Sequence, residues 1–172
     1  AHPQLGAVEI GGWNRFHAFS NPPPQRLAGE LARFPRWILW QVLTSPRLEL
    51  VVADAQPVGE GCYRVRVVVQ NTGWLPSYVS KRALDRKVVR GAIAEIALPA
   101  GATLVQGRRR EELGQLEGKA YKHTGVSFWP ERNITDDRAK VEWVVQAPPG
   151  TALPVVVRHD RAGVVTATVT LG

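Results

Sequence analysis

The sequence predicts a mainly β fold: a seven- to eight-stranded antiparallel sandwich preceded by a short helical connector. Three observations carry this. In the stretch Gly61 to Pro76, Tyr63, Val65, Val67 and Val69 fall on one face of an extended chain and Arg64, Arg66 and Gln70 on the other, because successive strand side chains point to opposite sides. From Arg47 to the end, short runs of this kind follow one another, separated by Pro and Gly turns with no long helices between them. Before them, Leu27, Leu31, Phe34, Ile38 and Val42 recur every three or four positions, the stripe of an amphipathic helix.

In chain order, Leu5 to Trp13 is a short apolar, strand-like run with one carboxylate, Glu9, and a glycine pair at its end. Pro22-Pro23-Pro24 is a stiff spacer. Pro35 removes a backbone hydrogen bond and crowds the preceding turn, so the helical stretch is expected to kink or to form two helices, from about Pro24 to Phe34 and about Pro35 to Leu43. Thr44-Ser45-Pro46 stops it. Trp37 and Trp40 lie partly off the stripe and are expected to pack against the sandwich.

The strands follow. Leu48 to Ala53 is the first, with Leu48, Leu50 and Val52 inward, and Pro57 to Gly61 turns it back. Asn71-Thr72-Gly73 ends the organising strand, Asn and Gly being the residues that most readily take positive φ. Trp74 to Tyr78 is an irregular crossing, Lys81 to Asp85 a helical turn, and Val88 to Leu98 a strand. Thr103 to Val105 and the region of Leu113 and Leu116 are weaker strands, before a long loop from Gly118 to Asp137. Ala139 to Ala147 alternates with Val141, Trp143 and Val145 inward; Leu153 to His159 and Val164 to Leu171 close the domain. An immunoglobulin-like or fibronectin type III-like topology fits this spacing. With no cysteine pair to pin it, Trp143 is the expected core aromatic.

With 172 residues and 44% hydrophobic content, one core plus an appendage is expected, burying roughly 70% of the unfolded surface. The only cysteine, Cys62, has no disulfide partner and no ligand-spaced neighbours; it reads as a small core residue. No apolar run is long enough to predict membrane insertion. The chain contains no methionine and begins at Ala1, so it is expected to be a piece of something longer. The net charge of +7 comes from scattered cations. Only Arg108-Arg109-Arg110 is dense, and Glu111 and Glu112 follow it, so the cations read as solvated strand faces and no nucleic acid is expected as a partner.

The first run, with His2-Pro3 before it and Asn21-Pro22-Pro23-Pro24 after it, resembles the end of the peptidase domain in bacterial zinc carboxypeptidases of the carboxypeptidase A-like family. Arg47 to Leu171 resembles the β-sandwich appended to those enzymes, through Asn71-Thr72-Gly73-Trp74-Leu75-Pro76, Arg86-Lys87-Val88-Val89-Arg90, Glu112 to Gly118 and Asp137 to Val145. The resemblance implies residues 1–21 as a peptidase remnant, 22–46 as connector and 47–172 as an ancillary domain. It also implies a secreted or periplasmic parent that removes C-terminal residues from peptide or protein substrates.

A lone Glu in an apolar run is ordinarily a solvent-facing strand residue. By resemblance, Glu9 matches the glutamate that takes a proton from the zinc-bound water and passes it to the leaving amine. Such an enzyme needs three protein ligands, in this family a His-x-x-Glu pair and a distant His. His2, His17, His123 and His159 are each followed at the third position by Leu5, Ser20, Val126 and Ala162, so no metal site is expected in this fragment and zinc belongs to the parent. The fragment alone is expected to be inactive, with the parent's catalytic domain as its partner and Trp37 and Trp40 as candidates to contact it. Two rivals stand beside this reading: a stand-alone cell-surface binding module, and a sugar-binding sandwich using Phe128 and Trp129.

Overall fold

A computed structural model describes residues 2–9, 11–121 and 135–172. The chain divides into two compact units, Ala1–Val42 and Leu43–Gly172. In the first, His2 and Gly6 form an isolated antiparallel bridge, Arg15–Ser20 makes a π-helical turn, and two helices follow, α1 (Pro24–Leu31) and α2 (Phe34–Leu43). The strand expected around Glu9 is absent among the described residues. Gly6 and Gly12 sit at φ 72° and 139°, backbone that breaks an extended run, and a single strand without a partner is not stable. The helix does divide, at Ala32 and Arg33. Pro24 and Pro35 each occupy the first turn of a helix, where a missing N–H costs nothing.

The second unit is mainly β. Among the described residues it holds eight strands: β1 (Leu48–Gly59), β2 (Cys62–Asn71), β3 (Ala92–Ile96), β4 (Thr103–Gln106), β5 (Arg110–Gly114), β6 (Arg138–Gln146), β7 (Ala152–His159) and β8 (Gly163–Thr170). They form two four-stranded antiparallel sheets, β1-β2-β6-β4 and β5-β3-β7-β8. Tyr63, Val65, Val67 and Val69 of β2, Val141, Trp143 and Val145 of β6, and Leu153, Val155 and Val157 of β7 are buried in one cluster. Alternation put those of β2 and β6 inward, and central strands with one apolar face hold that register.

Strand β1 departs from expectation. Leu50 pairs with Val69 and Val52 with Val68, so Val51 is an extra residue in the ladder. Such a bulge reverses the facing of everything after it: Val52 pairs with Val68 on the outer face, and Ala53 and Ala55 pack on the core instead; Leu50, just before the bulge, is itself exposed. The strand also runs through Pro57 to Gly59. That is tolerated because β1 is an edge strand and Pro57 has no donor to lose. Gly61, at φ 63°, makes the turn. Cys62 is half-buried rather than in the core, since it shares the face of Arg64 and Arg66.

The strand expected from Val88 begins only at Ala92. Before it, α3 (Lys81–Asp85) ends in a tight cap: Val88 N–H donates to Ala83 O and Lys87 N–H to Leu84 O, with Lys87 left-handed at φ 53°. Gly91 then passes so close to Gly114 that a side chain on it would meet Gly114 backbone.

Strands β4 and β5 are neighbours in sequence but belong to different sheets, so the chain crosses the sandwich edge between Gln106 and Arg110. Gly107 turns it at φ 96°, where an added Cβ would lie 2.7 Å from Trp143 Cδ1. Trp143 Nε1–H donates to Arg108 O at 2.7 Å.

The chain enters β1 beside Ala162, whose O accepts from Leu48 N–H. Leu171 lies at the opposite end, its O accepting from Gly150 N–H.

Candidate functional site

The entry end of the sandwich gathers the crossing segment between β2 and β3, the chain after β5, the β7–β8 turn and the residues just before β1. At its centre is Asn71, which is fully buried. Its Oδ1 accepts from Arg47 N–H at 2.9 Å and Gly73 N–H at 3.1 Å; its Nδ2 donates to Leu75 O at 2.9 Å and Glu117 O at 3.1 Å. All four hydrogen-bonding positions of the amide are thereby used. Gly73 is required by approach, not by positive φ, because a Cβ there would lie 2.3 Å from Ser45 O. Gly118 is pressed in the same way against Trp74 O and Leu75.

A second chain of bonds runs beside it. Ser77 Oγ accepts from Leu116 N–H and donates to Gln115 Oε1 at 2.7 Å; Gln115 Nε2 donates to Val89 O. His159, only 3% exposed, accepts through Nδ1 from Arg161 N–H at 3.1 Å and Ala162 N–H at 3.2 Å. The ring proton therefore sits on Nε2, 3.2 Å from Gln115 Oε1. Burial pushes its pKa below the usual histidine value, reinforced by Arg161 and opposed by Asp160 and the Arg90 backbone. Tyr78 Oη donates to both Glu117 carboxylate oxygens at 3.0 Å, and Arg161 donates to Tyr78 O.

Chemically this arrangement holds loops and does not activate a nucleophile. Ser77 directs its proton at an amide oxygen, and the imidazole directs its own proton at that same oxygen, so no base faces the hydroxyl. The four stretches that carried the sequence resemblance meet here, since Asn71 also donates its N–H to Asp137 O and Glu117 donates to Asp136 O. Sequence reading took Asn71 for a turn residue, gave Gln115 only within a matching stretch and weighed His159 only as a metal ligand; a polar residue at a strand end, two positions before a glycine, was the available signal.

Glu9 is exposed, in irregular chain. His2 contributes Nδ1 to Gln4 N–H, and His159 belongs to the network above. His123, Phe128 and Trp129 lie outside the described residues. Among the described residues no three His, Cys, Asp or Glu side chains converge to hold a metal. Arg108, Arg109 and Arg110 are exposed along the sandwich edge. No helix among the described residues is long and apolar enough to cross a membrane.

Among solved structures, the chain is similar to the GAE domain of GGA2p from Saccharomyces cerevisiae, with 15% identity over 74% of this chain and 90% of that one, at a TM-score of 0.36. It is similar to DesR, a β-glucosidase from Streptomyces venezuelae, with 12% identity over 74% of this chain and a TM-score of 0.31. A GH20 exo-β-N-acetylglucosaminidase from Vibrio harveyi gives 12% identity over the same share, with a TM-score of 0.26. The match spans only 15% and 18% of those two enzymes. No curated protein matches. Residues 47–170 match the family described as Domain of unknown function (DUF8731), and the chain belongs to that family.

Proposed function

We propose that this chain is the C-terminal portion of a bacterial zinc carboxypeptidase, in which a non-catalytic, immunoglobulin-like or fibronectin type III-like sandwich braces the catalytic domain through the helical connector. The topology suits that fold type: β1, β2, β6 and β4 occupy one sheet, and β3, β7 and β8, with β5 at the edge, the other. The observation that carries the reading is the state of the first unit. None of its described side chains is buried: Trp13 is 86% exposed, Trp37 58% and Trp40 60%, with Phe16, Phe19, Leu31 and Leu39 also open to solvent. Apolar surface on that scale marks an interface, and the sequence resemblance names the peptidase domain as what covers it.

In the parent, Glu9 is the proton shuttle beside zinc, and the whole enzyme is secreted or periplasmic and acts on peptide C-termini. Two measurements test this. The gene upstream of the Ala1 codon should encode a His-x-x-Glu pair and a separate His. In the full-length enzyme, Glu9→Gln should lower turnover by about 10²-fold or more with zinc content unchanged; intact turnover would remove Glu9 from the mechanism. A stand-alone cell-surface binding module is the second reading, favoured by an unrelated upstream sequence.

A further inference from the structure

The entry end of the sandwich carries a run of exposed cations. Lys81, Arg82, Arg86, Lys87 and Arg90 fall in one ten-residue stretch after the crossing, all exposed, with one carboxylate among them, Asp85. Lys119 is exposed at the same end, its N–H on Gly73 O. None of these six cations forms an ion pair among the described residues. On the strands the pattern is different: Arg66 pairs with Asp54, Lys140 with Glu142, and Arg158 with Glu95.

The segment is also held in an unusual backbone. Val79, at φ 65°, sits in a three-residue turn closed by Ser80 N–H on Tyr78 O, and Lys87 occupies the left-handed cap position at φ 53°. These are the only non-glycine residues with positive φ among the described ones. Glycine is the residue such positions favour, yet one of them holds a cation. Two apolar side chains stand open at the same end: Val88, 65% exposed between Lys87 and Arg90, and Trp74, 55% exposed, whose O accepts from Ala120 N–H.

We propose that this end, residues 74–91 with Lys119, is a peripheral docking surface for a membrane leaflet containing anionic lipids. A duplex nucleic acid presents phosphates to the cations but no apolar layer to Val88 and Trp74. A lipid headgroup layer takes both, the cations at the headgroup phosphates and the apolar side chains at the acyl boundary, where Trp is at home. The inference does not depend on the peptidase reading.

The test is co-sedimentation of the full chain with vesicles of equimolar phosphatidylcholine and phosphatidylglycerol, against phosphatidylcholine alone. Binding should be about tenfold or more stronger to the anionic vesicles and weaken with salt. Combined Lys81→Glu, Arg86→Glu and Lys87→Glu should reduce it about tenfold or more, whereas the same charge change at Arg64, Arg109 and Arg138 should reduce it far less. A milder set, Arg82→Gln, Lys87→Gly and Arg90→Gln, removes charge while relaxing the cap, and should weaken binding with the melting midpoint retained. Trp74→Ala should weaken it further. Equal binding to neutral vesicles, binding that survives both sets of substitutions, or no binding would overturn the proposal. Binding of duplex DNA or heparin that is lost with the same substitutions, without vesicle binding, would overturn it in favour of another polyanion.

Discussion

Asn71 is the single residue on which the entry end depends most. Its amide satisfies two donors and two acceptors at once, drawn from residues before β1, after β2 and after β5. Replacing it with alanine strands buried polar groups, each costing about 1–3 kcal/mol when left unpaired. Asn71→Ala should therefore lower stability by about 3 kcal/mol or more, measured as a fall in the urea midpoint. His159 gives a second handle. Its folded pKa lies below the unfolded value of 6.5 because it is buried, so the unfolded chain binds the proton first as pH falls. The contribution of the neutral ring is whole above about pH 6.5 and is lost on acidification toward the folded pKa. Stability measured from pH 8 to 5 should decline over that window in the parent chain and decline less in His159→Gln.

At the scale of elements, Trp143 joins two tasks. It fills the core between the sheets and, through Nε1–H on Arg108 O, fixes the point where the chain leaves one sheet for the other. Trp143→Ala should cost roughly 3–5 kcal/mol, read from the urea midpoint. Trp143→Phe should recover part of that, since it restores ring packing but not the indole donor. The inward faces of β2 and β6 were legible in the sequence because alternation on a central strand records burial directly. The reversal along β1 was not, because the extra residue at Val51 is set by pairing with β2 and leaves no mark in composition. Nor was the polar network: the bonds that join its separate segments link residues 24 to 83 positions apart, and each participant alone looks like an ordinary loop residue. Glu9 stood out only by resemblance, and its exposed place in the chain adds no geometry to that assignment.

At the scale of the whole molecule, the sandwich carries its own core, whereas no described side chain of the first unit is buried. Every buried member of the hydrophobic cluster lies at Leu48 or beyond. A chain beginning at Thr44, which keeps the contacts of Ser45, Pro46 and Arg47 with Gly73 and Asn71, should unfold cooperatively with a urea midpoint close to that of the full chain. It should also bind much less of a hydrophobic dye, because the exposed aromatic side chains of residues 2–43 are gone. An unfolded product would mean that the sandwich relies on the segment before it.

The positions of entry and exit have a mechanical consequence. The chain comes in at Leu48, beside Ala162, and leaves at Leu171, beside Gly150, at opposite ends of the sandwich. Tension between those two points runs along β1 and β8, parallel to their length. The ladder joining β1 to β2 and the ladder joining β8 to β7 are then loaded in shear, with their hydrogen bonds sharing the force rather than opening one at a time. A domain strung this way resists stretching more than one pulled open from a single end.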